Sequence, residues 1–557
     1  MSKTTRVHFR LHFRDSTHWT QTGAGYAIGS AFVDDQLFHS DRLSKLFENQ
    51  NSFHGFVSVL GKLNGFFAGI RLANDSVFLA SDHVRSLPLF YATMGKEVLI
   101  SDDAYWIREQ VHDDARDVDS VTEFLLAGIV SGHDTLTPSV KQLQAGETVE
   151  LTLTSEGVRR DSARFFTFGY GNLPESVEGL TARADRCLES AFTRLRRFAD
   201  GRTIVVPLSG GLDSRLIVLM LKKIGYDAVV AFTYGRPGNR ESNISRKVAA
   251  RLGVPWHFIP YTNQAWYHWY HSNEWATYSK FANGLSSIPH IQDWPAVWEL
   301  KKRKLIPDDS VFVPGLMAGP DNFGYRMPTE WPNMTTISVS DLTRKICESY
   351  CTLQDWMRMS PAVQSELAMK VDSVLRPPVN LTFAEAIGYF DRWWWENRSA
   401  KFLINSVRVY EYWRYVWWLP FLDLEFIRFW LPNRFMLPSH FRFERAFQRE
   451  YMQRLEVEFT GKSPVPDCSG HANALMIANL LDKSHLRKFA RKARARLEYY
   501  NHPYSWYGLM PREEYERSFH GLENINTYLA RETVRSIFPA AEDPARSGGP
   551  QSTLDQR

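Results

Sequence analysis

Cysteine is scarce: the 557 residues hold four, Cys187, Cys347, Cys351 and Cys468, and none precedes Cys187. So few, so irregularly spaced, cannot staple a disulfide framework. Cys347 and Cys351 stand one helical turn apart, but no second pair completes a zinc set. A reduced, intracellular chain is expected. Excess charge of one sign is missing too, since 66 Lys and Arg face 62 Asp and Glu, a net +4. That excludes a strong global pull toward nucleic acid or anionic membrane, and no nucleic-acid partner is expected. No run of 18 or more residues is apolar enough to span a bilayer, and Met1–Arg10 lacks the apolar centre of a signal peptide. These absences predict a cytoplasmic protein without a transmembrane segment. What remains is ordinary for a globular chain, 44% hydrophobic and 23% charged, at a length that predicts two domains.

One stretch organises the rest. Val205-Val206-Pro207-Leu208 is apolar, Ser209-Gly210-Gly211 breaks it, and Leu212-Asp213-Ser214-Arg215 opens an apolar helical pattern through Leu221. This reads as a buried strand, a tight loop and a helix N-terminus. Glycines let backbone N–H groups come close to an anion, and the helix start adds its positive dipole end. A lysine after the glycines is again missing, so this is not a Walker A loop. Donors and a carboxylate without a lysine suit a leaving pyrophosphate whose charge is matched by Mg²⁺ on Asp213. The Ser-Gly-Gly-x-Asp-Ser string resembles the PP-loop of ATP pyrophosphatases, which split ATP into AMP and pyrophosphate while adenylating a substrate. An ordinary strand-to-helix turn is the bland alternative.

Before the loop, residues 1 to about 165 read as short strands and turns with little helix, which predicts a β-sandwich. The strands expected are Val7–Phe13, Gly65–Leu72, Val77–Asp82, Leu87–Ala92, Val98–Ser101 and Thr148–Thr152. Asn64-Gly65-Phe66-Phe67-Ala68, Ser81-Asp82-His83-Val84-Arg85-Ser86-Leu87-Pro88-Leu89-Phe90-Tyr91, Gly128, Gly132, Thr135-Leu136 and Leu143-x-x-Gly146-Glu147 follow in order. Together they resemble the N-terminal domain of asparagine synthetases, an Ntn-hydrolase fold that frees ammonia from glutamine with an N-terminal cysteine. That cysteine is absent here. Ser2, exposed by loss of Met1, is the remaining candidate nucleophile, but Lys3-Thr4-Thr5 separate it from the strand. The resemblance thus implies a retained sandwich that no longer hydrolyses glutamine and shapes the synthetase site.

Residues 166–180, rich in Gly, Pro and Asn, predict a linker, and Leu180–Phe198 predicts an opening helix. Ala228–Gly235 reads as the next buried strand, so strand and helix alternate as in a doubly wound parallel sheet with its ligand at the carboxyl strand ends. Phe232-x-x-Gly235, Glu241 and Val248-Ala249-x-x-Leu252-Gly253 resemble the synthetases' adenosine-binding strand and helix. The resemblance places adenine at the backbone of Tyr234 and an acidic role at Glu241. Pro314-Gly315-Leu316-Met317-Ala318-Gly319-Pro320-Asp321 resembles their second signature, with Gly315 and Asp321 kept and the signature glutamate replaced by Leu316 or Met317. Asp321 then joins Asp213 as a metal ligand. Leu419-Pro420-Phe421-Leu422-Asp423, preceded by Arg398-x-x-Lys401, resembles another family segment, but Val416-Trp417-Trp418 replaces its Glu-x-Arg pair. Arg442–Glu450 resembles the Lys-x-x-x-Arg-Glu helix, with Arg445 at the lysine position and Arg449 at the arginine. Arginine keeps a phosphate-clamping role and loses any role that needs a neutral amine.

The tryptophans from Trp393 to Trp418 read as helical core packing, Lys483–Arg496 as a docked helix with a basic wet face, and residues 541–557 as a disordered tail. The expected domains are an inactive glutaminase-like sandwich at 1–175 and an ATP-binding synthetase-like α/β domain with extra helices at 176–540. The resemblance, which covers roughly residues 60 to 455, implies an enzyme that adenylates a carboxylate with Mg-ATP for attack by ammonia or an amine. Leu208, Ser209, Gly210, Gly211 and Ser214 would hold pyrophosphate, and Arg445 and Arg449 would steady the phosphates. Expected partners are a small-molecule or sugar carboxylate, a nitrogen donor and a separate glutaminase. Alternatives are an intramolecular amide-forming cyclase of β-lactam or lasso-peptide type, a non-catalytic nucleotide-binding scaffold, and an RNA-thiolating enzyme, for which the cysteine spacing is wrong.

Overall fold

The computed structural model describes residues 7–12, 18–168, 177–316, 328, 330–433, 440–466, 498–518 and 524–539. Ser2, Met317, Asp321, Cys468, the basic Lys483–Arg496 stretch and the tail lie outside them. Among the described residues, no helix is long and apolar enough to cross a membrane.

Alternation along the first strands builds two stacked sheets. Thr20–Thr22, Gly25–Val33, Asn64–Leu72, Ser76–Ser81, Glu147–Leu153 and Val158–Arg164 run antiparallel across the larger sheet, and Gln36–His39 also pairs with Gly25–Val33. Val7–Arg10, Glu97–Ser101, Phe90–Met94 and Lys141–Gln142 form the smaller one. Phe66, Ala68, Ile70, Val77 and Leu79 share one buried cluster with Tyr91, Val98 and Ile100, so these faces meet between the sheets. Their odd-and-even neighbours face outward. Phe67, Phe78 and Ala80 pack under helices Ser40–Glu48 and Phe53–Leu60. Phe90, Ala92 and Leu99 pack under Ala104–Gln110 and Val118–Ala127. The result has four layers: helix, sheet, sheet, helix. The strand register matches the expected hairpin, with Leu72 opposite Val77. The expectation of little helix is corrected, because these four helices of 7 to 10 residues are too short to show a sustained period.

The expected linker is also corrected at its start. Phe166 and Phe168 are core residues, and Phe168 stacks on Trp395 at 4.4 Å. The helix that follows is Val177–Ala199, three residues earlier than expected.

The second domain carries five parallel strands in the spatial order Trp256–Pro260, Val229–Gly235, Ile204–Pro207, Val311–Phe312, Val416–Trp417. Strand order grows outward in both directions from Ile204–Pro207. With right-handed crossovers that order puts helices on both faces and opens a crevice at the carboxyl end of the first strand. Near-continuous burial of Ile204, Val205, Val206, Ala231 and Phe232 is what a sheet covered on both faces requires.

The two domains are bolted together by buried polar groups. Lys401 has no exposed surface, and its ammonium donates to the carbonyls of Val130 and Gly132 at 2.9 and 2.7 Å and to Asn397 at 3.2 Å. Burial pushes its pKa well down, and those carbonyls are the compensation. Arg398 donates to Ala127 and Trp395 to His83, whose own ring donates to Leu422 at 2.7 Å. Arg398, Lys401 and Asn397 lie on a π-helical stretch, Trp394–Leu403. The expected aromatic core is present, but Trp418 belongs to the domain seam, stacked on Phe198 and edge-on to Phe32 and Phe66.

Candidate functional site

Strand Ile204–Pro207 ends when the Leu208 N–H donates to the Phe232 carbonyl at 2.8 Å, while the Leu208 carbonyl accepts from Thr233 Oγ1 at 2.6 Å. Both backbone groups of Leu208 are thus committed to the sheet edge. The chain then turns through Ser209 and the glycines into helix Leu212–Lys223. Ser214 Oγ accepts the Ser209 N–H at 3.0 Å, and Ser209 Oγ accepts the Gly211 N–H at 3.1 Å. The two hydroxyls also meet at 3.1 Å. The loop is therefore shaped by its own serines before any ligand arrives. No side chain caps the helix, although its first-turn N–H groups need partners. Asp213 stands in that first turn, half-buried.

Two neighbours hold the loop in place. Arg215 is fully buried under it, donating to the Gly210 carbonyl at 3.2 Å and to Val465 and Pro466 at 2.7 and 3.1 Å. A lone cation inside an apolar helical run was the available signal for this anchor. Above lies Gly315, past the end of Val311–Phe312. A Cβ there would fall 2.7 Å from Ser214 N and 3.1 Å from Ser214 Cα, backbone atoms that cannot yield. Gly315→Ala is expected to cost about 1–3 kcal/mol of stability by overpacking, and to weaken nucleotide binding more than a matched Leu316→Ala change. Calorimetric titration with ATP checks both variants.

The next strand brings Tyr234 and Gly235. Gly235 has φ +122°, and a Cβ would meet the Pro503 carbonyl at 2.8 Å, so only glycine fits. Tyr234 stacks on Tyr261 at 5.2 Å, and burial raises its phenol well above the ordinary range. Asn239 caps helix Arg240–Leu252, with Glu241 in its first turn. Glu241 is not a solvated carboxylate. Burial pushes its pKa up, against the hydrogen bond it accepts from Tyr504 at 3.1 Å.

Tyr504 belongs to a distant segment that sequence patterning did not assign. Residues 498–510 run over the Asn263–Tyr270 helix, where Asn263 donates to the Tyr499 carbonyl and Trp266 to the Tyr504 carbonyl. Within it, His502 stacks on Trp506 at 4.4 Å and its Nδ1 accepts the Tyr504 N–H at 3.2 Å. Burial holds that imidazole down at about 4, against 6.5 when free. Above pH 6.5 the ring is neutral docked or undocked, and pH has no effect. As pH falls from 6.5 toward 4, the undocked segment takes a proton that the docked one refuses, and docking weakens. Protection factors of the amides at residues 502–508, that is exchange rates divided by the intrinsic rate at each pH, are expected to fall across that window and to become independent of pH in His502→Gln.

Helix His440–Thr460 carries Arg445 and Arg449 and packs along the loop helix. The side chain of Arg445 lies outside the described residues. Tyr451, two residues past Arg449, accepts a hydrogen bond from Lys223 at 2.8 Å, at the end of the loop helix opposite Asp213. Among the described residues there is no cluster of three or more His, Cys, Asp or Glu that could hold a metal ion.

The sheet is parallel with its order reversing at the loop-bearing strand, and the Ser-Gly-Gly-x-Asp-Ser loop runs into a helix without a side-chain cap. Residues 188–281, which span the loop, Tyr234 and Glu241, match the asparagine synthase family model, and the chain is asparagine synthetase-like over that stretch. A 72-residue stretch is 31% identical to the tRNA-specific 2-thiouridylase MnmA of Levilactobacillus brevis, covering 11% of this chain and 19% of that protein. The chain thus spans about a fifth of the length of that curated relative. Among solved structures, glutamine phosphoribosylpyrophosphate amidotransferase from B. subtilis, complexed with ADP and GMP, is 13% identical over 48% of this chain and 74% of its own. A structure titled as the allosteric regulatory enzyme of purine biosynthesis is 11% identical over 53% and 70%. Both have a TM-score of 0.19, too low for either to bear on this fold.

Proposed function

We propose that this chain is an AMP- and pyrophosphate-forming amide ligase, which adenylates a substrate carboxylate for attack by ammonia or an amine. The observation that carries the reading is the loop of Ser209–Ser214, pre-shaped by its serines and facing an uncapped helix start in the switch crevice. Ser209, Gly210, Gly211 and Ser214 cradle the β- and γ-phosphates as they leave. Asp213, with Asp321, would hold Mg²⁺, which would neutralise phosphate charge. Arg445 and Arg449 stand on the helix packed against the loop helix, and Arg449 precedes Tyr451, whose contact is at the end far from Asp213, so the loop's own donors carry the phosphates in this reading. Tyr234 meets the base through its backbone.

The carboxylate oxygen attacks the α-phosphorus and the bond to the bridging oxygen breaks, releasing pyrophosphate. Nitrogen then attacks the acyl carbon of the mixed anhydride, the acyl–oxygen bond breaks, AMP leaves and the nitrogen loses a proton. Such a sequence asks the protein for positioning and charge stabilisation more than for a dedicated acid or base. The four-layer sandwich has the layering of an Ntn hydrolase without its cysteine, and we assign it a supporting role, locked to the ligase domain through Lys401, Arg398 and His83. The described cysteines, Cys187, Cys347 and Cys351, are buried, with burial pushing the Cys187 thiol up to about 11.

The test is release of pyrophosphate and AMP from ATP, with a panel of small and sugar carboxylates plus ammonium or primary amines. Stoichiometric AMP, pyrophosphate and amide support the reading. Nucleotide binding without turnover on any carboxylate would leave the chain a scaffold.

A further inference from the structure

Glu241 sits beside the base end of the crevice, and one of its oxygens is already committed. Tyr504 donates to Oε2 at 3.1 Å, and no other described residue bonds this carboxylate. The phenol ring lies 5.9 Å from Tyr234 and 5.3 Å from Trp506. Its backbone is pinned on both sides. The Pro503 carbonyl accepts the Arg236 N–H at 2.7 Å, and the Tyr504 carbonyl accepts Trp266 Nε1 at 2.6 Å. Gly508 lies so close to Asn263 that a Cβ would fall 2.2 Å from its Cα. The segment is thus fixed in register on the strand end, and its one tyrosine hydroxyl that reaches the first turn of helix Arg240–Leu252 does so at Glu241.

We propose that Tyr504 is a positioning residue for nucleoside recognition: it aims the Glu241 carboxylate, and segment 498–510 completes the base end of the pocket begun by Val229–Gly235. This rests on the ATP-using reading given above. A carboxylate accepts and never donates, so its remaining oxygen suits an amino or hydroxyl donor. Adenosine offers both, the 6-amino group and the ribose hydroxyls. A 6-oxo purine places an acceptor where adenine has its donor, and acceptor against carboxylate is repulsive. Aiming by Tyr504 therefore acts on discrimination as well as on affinity.

The experiment measures dissociation constants of ATP, GTP and 2′-deoxy-ATP by calorimetry for the full chain, Tyr504→Phe, Glu241→Gln, their double variant and Tyr500→Phe. Tyr500 is exposed in the same segment and serves as the control. Tyr504→Phe keeps the ring and its packing and removes only the hydroxyl. It is expected to weaken ATP about tenfold, or about 1.4 kcal/mol, with no further loss in the double variant. A fall in the ATP-to-GTP ratio marks the amino group as the donor met by Glu241, and a fall in the ATP-to-deoxy-ATP ratio marks the ribose. Unchanged constants, or equal weakening of all three nucleotides, would mean a merely structural wall and overturn the proposal while leaving the ligase reading in place. Failure of the unaltered chain to bind ATP would overturn both.

Discussion

Asp213→Ala is expected to lower pyrophosphate release by about 1000-fold, with the thermal midpoint almost unmoved. The two halves of that expectation come from different energies. A carboxylate in the first turn of a helix contributes about 0.3–1 kcal/mol through the dipole, so its loss costs the fold little. About 1000-fold in rate is about 4 kcal/mol of transition-state stabilisation, which only a group facing developing phosphate charge can supply. Asp213→Asn sharpens the result, since the amide keeps shape and hydrogen bonding while losing the charge. Activity retained in the Asn variant would sink the role of Asp213 in matching pyrophosphate charge. Activity lost together with tens of per cent of the folded protein would mean the side chain is structural. The measurement is kcat/KM for pyrophosphate release beside a melting curve of each variant.

Why the loop could be read so early, and its neighbours so late, follows from distance along the chain. Strand, loop and helix start occupy ten consecutive residues, and each rule that shapes them is local: apolar run, glycine turn, dipole end. The central strands were legible for the same reason, because a strand buried on both faces is a short apolar run; the edge strands Trp256–Pro260 and Val416–Trp417 are only partly buried and were not read. Arg215, Tyr504 and Lys401 were not legible in their roles. Arg215 acts through carbonyls 250 residues away, and Tyr504 through a carboxylate 263 residues away. Lys401 looked like part of a site motif, and its ammonium is instead spent on the carbonyls of another domain. The small helices of the sandwich were missed because their period is shorter than a readable window. Of the second signature, Gly315 packs against Ser214, while Asp321 and the Arg445 side chain lie outside the described residues.

The largest stability effect is expected at Asp423→Ala. Asp423 is 2% exposed, and Arg194 at 6% grips it with two bonds, Nε to Oδ2 at 2.6 Å and the second amine to Oδ1 at 2.8 Å. Burial works to lower the Arg194 pKa, but the hydrogen bonds and charge of Asp423, then of Glu425, outweigh it and hold the pKa above its ordinary range. Removing Asp423 strands a guanidinium in the seam between domains, which costs about 3–5 kcal/mol. Arg194 keeps contacts to Asp35 and Glu425, but those carboxylates are 67% and 47% exposed, and exposed pairs are worth about 0–1 kcal/mol. They cannot compensate. Asp423→Asn is expected to fall between, because the amide returns one acceptor and turns a donor toward the guanidinium. Arg194→Met with Asp423→Leu is expected to recover much of the loss, since an apolar pair of similar volume avoids both desolvation penalties. Urea unfolding followed by tryptophan fluorescence reports the seam, where Trp418 packs against Phe32 and Phe66 from the other domain. An unfolding free energy for Asp423→Ala within about 0.5 kcal/mol of the unaltered chain, the range of an ordinary surface change, would show that the exposed carboxylates suffice and that the buried pair adds little.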